Sequence, residues 1–242
     1  MNNSKSSITE LHLEIRSDII AIASEKRKLS TCSFFKHELK CHGVSNPDSQ
    51  KIGKKYIAIL KNEKKELVWG LCEKLFQDEF LEESLLACQI SFSLKKQYEL
   101  ADFEVFERWV LLYVNNWAEC DTFCNKVIGE MLFKFPHLVQ RVKSWSLSDN
   151  LWARRASAVS FIYPAKRNTY VNDQFEIALI LLEDSEDMVQ KGYGWMLKVL
   201  SSTRLQDVFN FVQTYKSRMP RTALRYAIEK MPVELKAEAM KK

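Results

Sequence analysis

Trp117 and Asp121 are two residues of this sequence whose types and spacing suit chemistry at a positive charge. They lie four positions apart, so their side chains share one face if the segment is helical. A fixed carboxylate stabilises positive charge that develops in a transition state, and the face of an indole attracts cations. The alternative is structural, with Asp121 complementing the dipole of a helix start and Trp117 buried in the core.

Two further segments, residues 148–156 and 189–198, each combine a tryptophan with basic side chains. These residues are Trp152, Arg154, Arg155, Lys191, Trp195 and Lys198. Basic side chains of this kind neutralise phosphates and position a nucleic acid without reading its sequence. The alternative is again structural, because large aromatic residues are usually buried and basic residues commonly lie on a solvated helix surface.

The cysteines and histidines give no metal signature. The chain has six cysteines and four histidines, without a C-x-x-C pair or a zinc-finger spacing. His37 and Cys41 lie four apart and His42 follows, but no second pair with ligand spacing accompanies them. No Gly-rich nucleotide-binding motif occurs either. We therefore predict no metal and no cofactor, and the scattered free cysteines favour a reducing, cytoplasmic location.

The charge is unevenly distributed along the chain. The formal net charge is +5, but residues 97–133 carry a net charge of −5 and residues 134–230 carry +6. A basic C-terminal half suggests a polyanionic partner such as nucleic acid. The alternative is an ordinary solvated helical surface, because +5 is a modest charge for a chain of this length.

The elements that must position these residues are predicted to be helices throughout. Only 6 Gly and 5 Pro occur in 242 residues, which excludes turn-rich β architectures. No linker is visible, so we predict one domain over residues 1–242, with residues 1–40 as N-terminal capping helices. The N-terminus lacks the apolar stretch of a secretory signal, and no apolar run is long enough to span a membrane. In the second half we predict helices at about 102–114, 119–134, 136–145, 149–162, 170–182, 186–201, 204–215 and 220–230.

Helix pairs recur without a strict sequence repeat, which favours an α-solenoid of HEAT-like helix pairs, an all-α fold with a curved superhelical form. A compact orthogonal bundle is the alternative. Ser45 or Asn46 before Pro47 is a predicted helix start, and Asn62 is a predicted cap of the next helix.

Five sequence segments, in order, resemble the AlkD-like family of DNA alkylation repair glycosylases. Three of them read W-x-x-x-D from Trp117, W-x-R-R-x-A from Trp152 and K-G-x-G-W-x-L-K from Lys191. The other two are residues 43–54 and 221–230. The resemblance covers roughly residues 40 to 232.

The resemblance implies a HEAT-like solenoid that holds duplex DNA in a basic concave groove and excises purines alkylated at N3 or N7, such as 3-methyladenine and 7-methylguanine. It implies that Asp121 is the catalytic carboxylate, that Trp117 and Trp195 flank the damaged nucleotide, and that Arg155 lies near the backbone of the lesion. It also implies that the base need not be flipped out of the helix. The candidate contacts to the DNA backbone are Arg154, Lys191, Lys198 and Arg225.

One position departs from the family pattern: Lys198 stands where members often have Arg, and Lys lacks the planar fork that grips a phosphate with two bonds.

We expect a monomer that needs no membrane and no obligate protein partner. The alternative function is a non-catalytic HEAT-repeat scaffold that binds DNA or protein.

Overall fold

The computed structural model describes residues 7–241 of the chain, and these are helices and their connections. Within that range the only β pairing is an isolated parallel bridge between Lys40 and Phe80. The predicted all-helical class is therefore confirmed. No helix among the described residues has the length and apolar character needed to cross a membrane.

The chain divides into two compact units, an N-terminal unit of residues 1–99 and a C-terminal unit of residues 100–242. The expectation of a single domain stays a prediction. The helices of the N-terminal unit are α1 (Ile8–Ala21), α2 (Glu25–Cys32), α3 (Asn46–Leu60), α4 (Lys65–Gln77) and α5 (Leu81–Ser93).

Side-chain caps explain where two of these helices begin. Ser7 and Glu10 form a capping box at the start of α1, in which each side chain accepts from the backbone N–H of the other. The Ser45 hydroxyl accepts from the N–H of Asp48 at 3.3 Å, and Pro47 lies in the first turn of α3, so that predicted start is confirmed. The predicted cap Asn62 is wrong, because α4 begins after Lys64 without a side-chain cap.

A buried ion-pair network links α1 to α5 within the N-terminal unit. Glu83, which is fully buried, accepts hydrogen bonds from Arg16 Nε and Nη2 at 2.9 and 2.8 Å and lies 2.8 Å from His42 Nε2. Asp78 pairs with the same guanidinium and lies 2.6 Å from His12 Nε2. Burial alone would raise the pKa of Glu83, but the hydrogen bonds from His42 and Arg16 outweigh it and hold that pKa below its ordinary value.

The C-terminal unit contains the remaining helices. They are α6 (Asp102–Leu112), α7 (Trp117–Phe123), α8 (Gly129–Lys134), α9 (Val139–Ser144), α10 (Leu151–Val159), α11 (Ile162–Lys166), α12 (Val171–Ile180), α13 (Asp187–Leu200), α14 (Leu205–Tyr215), α15 (Arg221–Ile228) and α16 (Val233–Met240).

Four of these helices stack in chain order, α7 against α10, α10 against α13, and α13 against α15. Stacking of successive helices is the general feature of an α-solenoid, and the HEAT-like character of the repeats stays a prediction. The contact between α13 and α15 needs a glycine, because a Cβ atom at Gly194 would lie 2.9 Å from the carbonyl oxygen of Ala223 and 2.7 Å from Cβ of Tyr226. A curved superhelix with a basic groove stays a prediction.

Two predicted helices are interrupted in the structure. The helix predicted at 149–162 ends at Val159, and α11 follows as a separate helix with Pro164 in its first turn. Proline has no N–H to donate to the preceding turn, so the helix breaks there. The helix predicted at 119–134 begins earlier, at Trp117, and contains a π-helical turn at Cys124–Ile128; such turns insert one extra residue into an α-helix.

Candidate functional site

The start of α7 places Trp117 and Asp121 one helical turn apart. Asn116 caps this helix by accepting from the N–H of Glu119 at 3.0 Å, which fixes Trp117 as the first helical residue. Both residues therefore lie on the same face, as their spacing predicted. Trp117 is 36% exposed, so the alternative of a buried core tryptophan does not hold for it.

Arg155 of α10 holds the Asp121 carboxylate with two hydrogen bonds. Arg155 Nε donates to Asp121 Oδ1 at 2.9 Å and Nη2 donates to Oδ2 at 2.8 Å. The Arg155 side chain is only 6% exposed, whereas that of Asp121 is 20% exposed. Arg155 Nη1 also donates to the backbone carbonyl of Met188 in α13. One guanidinium thus joins α7, α10 and α13 and leaves the carboxylate as the more exposed partner.

Burial and pairing act on the two groups in opposite ways. Burial raises the pKa of Asp121 above its ordinary value, although the charge and hydrogen bonds of Arg155 lower it in part. Burial lowers the pKa of Arg155, but the charge and the hydrogen bonds of Asp121, together with smaller contributions from Cys120 and Tyr226, raise the pKa overall. The guanidinium therefore stays charged, and the carboxylate binds a proton more readily than an exposed aspartate.

Gly192 of α13 makes room for this arginine. A Cβ atom at that position would lie 3.1 Å from Arg155 Cγ and 3.6 Å from its Nη1. The first glycine of the K-G-x-G-W segment thus supports the Arg155 side chain, and the second allows the approach of α15. The K-G-x-G-W segment was recognised in the sequence, but the packing roles of its two glycines were not predicted. The contact of Arg155 with the Met188 carbonyl was also missed, because a backbone carbonyl leaves no signal in the sequence.

The other predicted site residues lie on α10, α13 and α15. Trp195 is half-buried on α13. Lys191 pairs with Asp187 at 2.7 Å on the same helix, and Lys198 pairs at 2.9 Å with Glu229, the residue that follows α15.

The two remaining arginines, Arg154 and Arg225, differ in their ion pairs and hydrogen bonds. Arg154 donates to Asp184 at 2.6 Å and to the carbonyl oxygens of Ser148 and Asp149. Arg225 is exposed. It forms no ion pair within residues 7–241. The structure thus joins Asp121 to Arg155, whereas Arg154 contacts Asp184 before α13 and the two carbonyl groups before α10.

Several acidic residues of the 97–133 stretch are paired or buried. Arg141 pairs with both Glu104 and Glu107, at 2.5 Å in the case of Glu104. Glu119 is buried at the start of α7, where its carboxylate accepts from the N–H of Asn115 at 3.2 Å. The stretch therefore presents less negative charge to solvent than its composition indicates.

One group of side chains among the described residues brings metal-ligand atoms close together. Ligand atoms of His12, Asp78 and Glu83 lie within 4.8 Å of one another. The guanidinium of Arg16 already donates to both carboxylates, so a positive charge occupies the position that a metal ion would need. We interpret this group as an ion-pair network.

Comparison with known proteins gives a family. A family model described as "DNA alkylation repair enzyme" matches residues 15–231. A solved structure described as a "Predicted DNA alkylation repair enzyme from Enterococcus faecalis" superposes with a TM-score of 0.79 and 17% sequence identity, over 87% of this chain and 97% of that one. No curated protein sequence matches the chain.

The family match spans most of the sequence, and the structural match has the same all-helical fold. The chain therefore belongs to the DNA alkylation repair enzyme family.

Proposed function

We propose that the protein is a DNA glycosylase that removes cationic purines alkylated at N3 or N7 from duplex DNA. It works as a monomer and without a cofactor, and its free cysteines suit a reducing cytoplasm. The observation that carries the proposal is the Asp121 carboxylate, held by a buried arginine on a helix that begins with a partly exposed tryptophan.

The proposed reaction needs one catalytic group from the protein, this carboxylate. Alkylation at N3 or N7 makes the purine cationic, so it leaves as a neutral molecule and needs no general acid. Positive charge moves onto the deoxyribose as the glycosidic bond stretches, and a fixed anion beside the sugar stabilises that oxocarbenium-like state. Asp121 is the anion in this proposal, and it also orients the attacking water.

The fixed geometry of the carboxylate supports this role. Arg155 holds both oxygens of Asp121, so the charge needs no reorganisation when the sugar becomes positive. The pair is neutral as a whole, so it repels phosphates less than an isolated carboxylate would. Because Arg155 is nearly buried, we assign it to positioning Asp121 rather than to gripping phosphate.

The indoles and surface cations supply recognition. Trp117 and Trp195 stabilise the cationic nucleotide, since indole faces attract cations by roughly 0.5–2 kcal/mol. The bound base need not leave the helix, because a cationic lesion already has a weak glycosidic bond. Lys191, Lys198 and Arg225 bind the DNA backbone in this proposal, and Arg154 belongs to the same basic surface; such contacts neutralise phosphates without reading sequence.

A non-catalytic DNA-binding scaffold is the second candidate. It is favoured by the pairing itself, because both Asp121 oxygens already accept from Arg155, and structural ion pairs have the same geometry. The two candidates differ in whether Asp121 is needed for chemistry.

The deciding experiment measures release of 3-methyladenine and 7-methylguanine from methylated duplex DNA. We expect release above the spontaneous rate by the parent protein, and a loss of at least about a hundredfold for Asp121→Asn. Asp207→Asn, at an exposed position of α14, is the matched control and should retain full activity. Binding without release by the parent protein would leave the scaffold.

A further inference from the structure

Cys32 and Cys41 bring their sulfur atoms together in the N-terminal unit. The two Sγ atoms lie 3.4 Å apart. Cys32 is the last residue of α2 and is partly exposed, whereas Cys41 is buried in the segment between α2 and α3. The other four cysteines are buried, so Cys32 is the thiol that a solute reaches first.

The backbone on both sides of this pair is held in place. The N–H of Ser24 donates to the carbonyl of Gly43 at 3.0 Å, and the N–H of Leu81 donates to the carbonyl of Lys40 at 2.9 Å. Gly43 has φ of +91°, and a Cβ atom there would lie 2.4 Å from the Ser24 carbonyl oxygen. The two chain segments therefore approach closely whether or not the sulfur atoms are bonded.

Helix α2, which ends at Cys32, has no buried side chain to hold it in place. It therefore lacks the apolar face that anchors most helices. A covalent bond at its C-terminal residue would attach it directly to the segment that leads into α3.

We propose that Cys32 and Cys41 are a redox-modification site, which a peroxide converts to an intramolecular disulfide. Hydrogen peroxide oxidises the Cys32 thiol to a sulfenic acid and is reduced to water. The Cys41 sulfur then attacks the Cys32 sulfur, the S–O bond breaks, and the hydroxyl leaves as water with the Cys41 proton. Two thiols and one peroxide thus give one disulfide and two waters. A dithiol reverses the change.

The geometry and the surroundings suit this order of events. The sulfur atoms are already in contact at 3.4 Å, and they must close to a bond of about 2.05 Å. Burial, assisted by the contact with Cys32, raises the pKa of the Cys41 thiol to about 12. Cys41 therefore resists direct oxidation. Its sulfur contacts that of Cys32, so it is the residue placed to resolve a sulfenic acid there, losing its proton with the departing hydroxyl.

The test uses the full chain treated with stoichiometric hydrogen peroxide, followed by N-ethylmaleimide and mass spectrometry of the intact protein and its peptides. We expect the intact mass to fall by two hydrogens and two of the six thiols to escape alkylation. A peptide linking Cys32 to Cys41 should appear, and dithiothreitol should remove it. Backbone amides of α2 should exchange hydrogen more slowly in the oxidised protein.

Variants separate the two roles. Cys41→Ser should leave a sulfenic acid on Cys32 that dimedone traps, and Cys32→Ser should leave Cys41 unoxidised. Cys124→Ala, at a fully buried cysteine, is the matched control and should still form the link. Oxidation of the parent protein to a sulfinic acid at Cys32, a link to another cysteine, or unchanged thiols would each overturn the proposal.

Discussion

Arg155 donates to both oxygens of Asp121, at 2.9 and 2.8 Å, and it is the more buried of the two residues. A solvent-exposed ion pair contributes little, but a nearly buried one fixes geometry and is costly to break. In the proposed function, this pairing lets a carboxylate lie close to DNA phosphates, because it lowers the local negative charge while one partly exposed anion stays available. The proposed chemistry and the stability of α7, α10 and α13 therefore depend on the same contact.

The loss of activity in acid should occur at a higher pH than an ordinary aspartate would give. Only the ionised form of Asp121 stabilises a cationic sugar, and burial raises the pKa of this group. Activity should therefore fall as the pH drops through that raised pKa. Single-turnover release of 7-methylguanine across acid pH measures this, and a profile flat down to the ordinary carboxylate range would contradict it.

Removal of Arg155 should affect both stability and the pH profile. Arg155→Ala leaves a largely buried carboxylate unpaired, which should lower the free energy of unfolding by about 3 kcal/mol. The acid limb should also move to higher pH, because the charge that lowers the pKa of Asp121 is lost. Urea titration and the release assay measure the two effects. Arg155→Lys keeps the charge and should shift the limb less, so equal shifts for both variants would argue against positioning.

Gly192→Ala should lower the rate of base release strongly while lowering the free energy of unfolding only slightly. The added methyl group meets Arg155 Cγ at 3.1 Å, so the arginine and its carboxylate must shift by a few tenths of an ångström. Overpacking of this kind costs about 1 kcal/mol, whereas misplacement of a catalytic group lowers the rate more steeply. The contrast is Gly194→Ala, which meets backbone of α15 and should mainly lower the melting temperature.

Arg225 and Arg154 should behave differently when each is changed to alanine. Arg225 is exposed, so Arg225→Ala should weaken binding similarly across sequences and reduce the salt dependence by about one ion. Arg154 is engaged by Asp184 and two carbonyl groups, so Arg154→Ala should lower stability more than it changes the salt slope. Fluorescence anisotropy at several salt concentrations, with thermal melts alongside, separates the two results.

Glu83 should stabilise the N-terminal unit above the ordinary carboxylate range and lose that effect in acid. Its pKa is lowered in the folded protein, so its contribution is present above the unfolded pKa of about 4.3 and disappears as the pH falls through the folded value. At neutral pH, Glu83→Gln should cost about 2 kcal/mol, since it removes charge-assisted hydrogen bonds. Glu66→Gln, at an exposed position, should show no such pH-dependent difference in unfolding free energy.

Composition, periodicity and local spacing were enough to predict the helical fold and the relative position of Trp117 and Asp121 on one helix. Scarce glycine and proline and strong apolar periodicity leave few alternatives to helices, and Ser45 before Pro47 set a helix start correctly. A separation of four residues fixed Trp117 and Asp121 on one face, because this depends only on local helix geometry. The break before Pro164 and the π-turn after Asp121 were missed, since helical periodicity does not mark a single inserted or unpaired residue.

The partners of these residues depend on how the helices pack in three dimensions. Arg154 and Arg155 are adjacent in the sequence, yet one binds Asp184 and the other binds Asp121, because successive helical positions point in directions about 100° apart. The room for Arg155 comes from Gly192, 37 positions later, and the contact between Cys32 and Cys41 comes from a connection without regular structure. Such contacts depend on how separate segments pack, which composition, periodicity and local spacing do not encode.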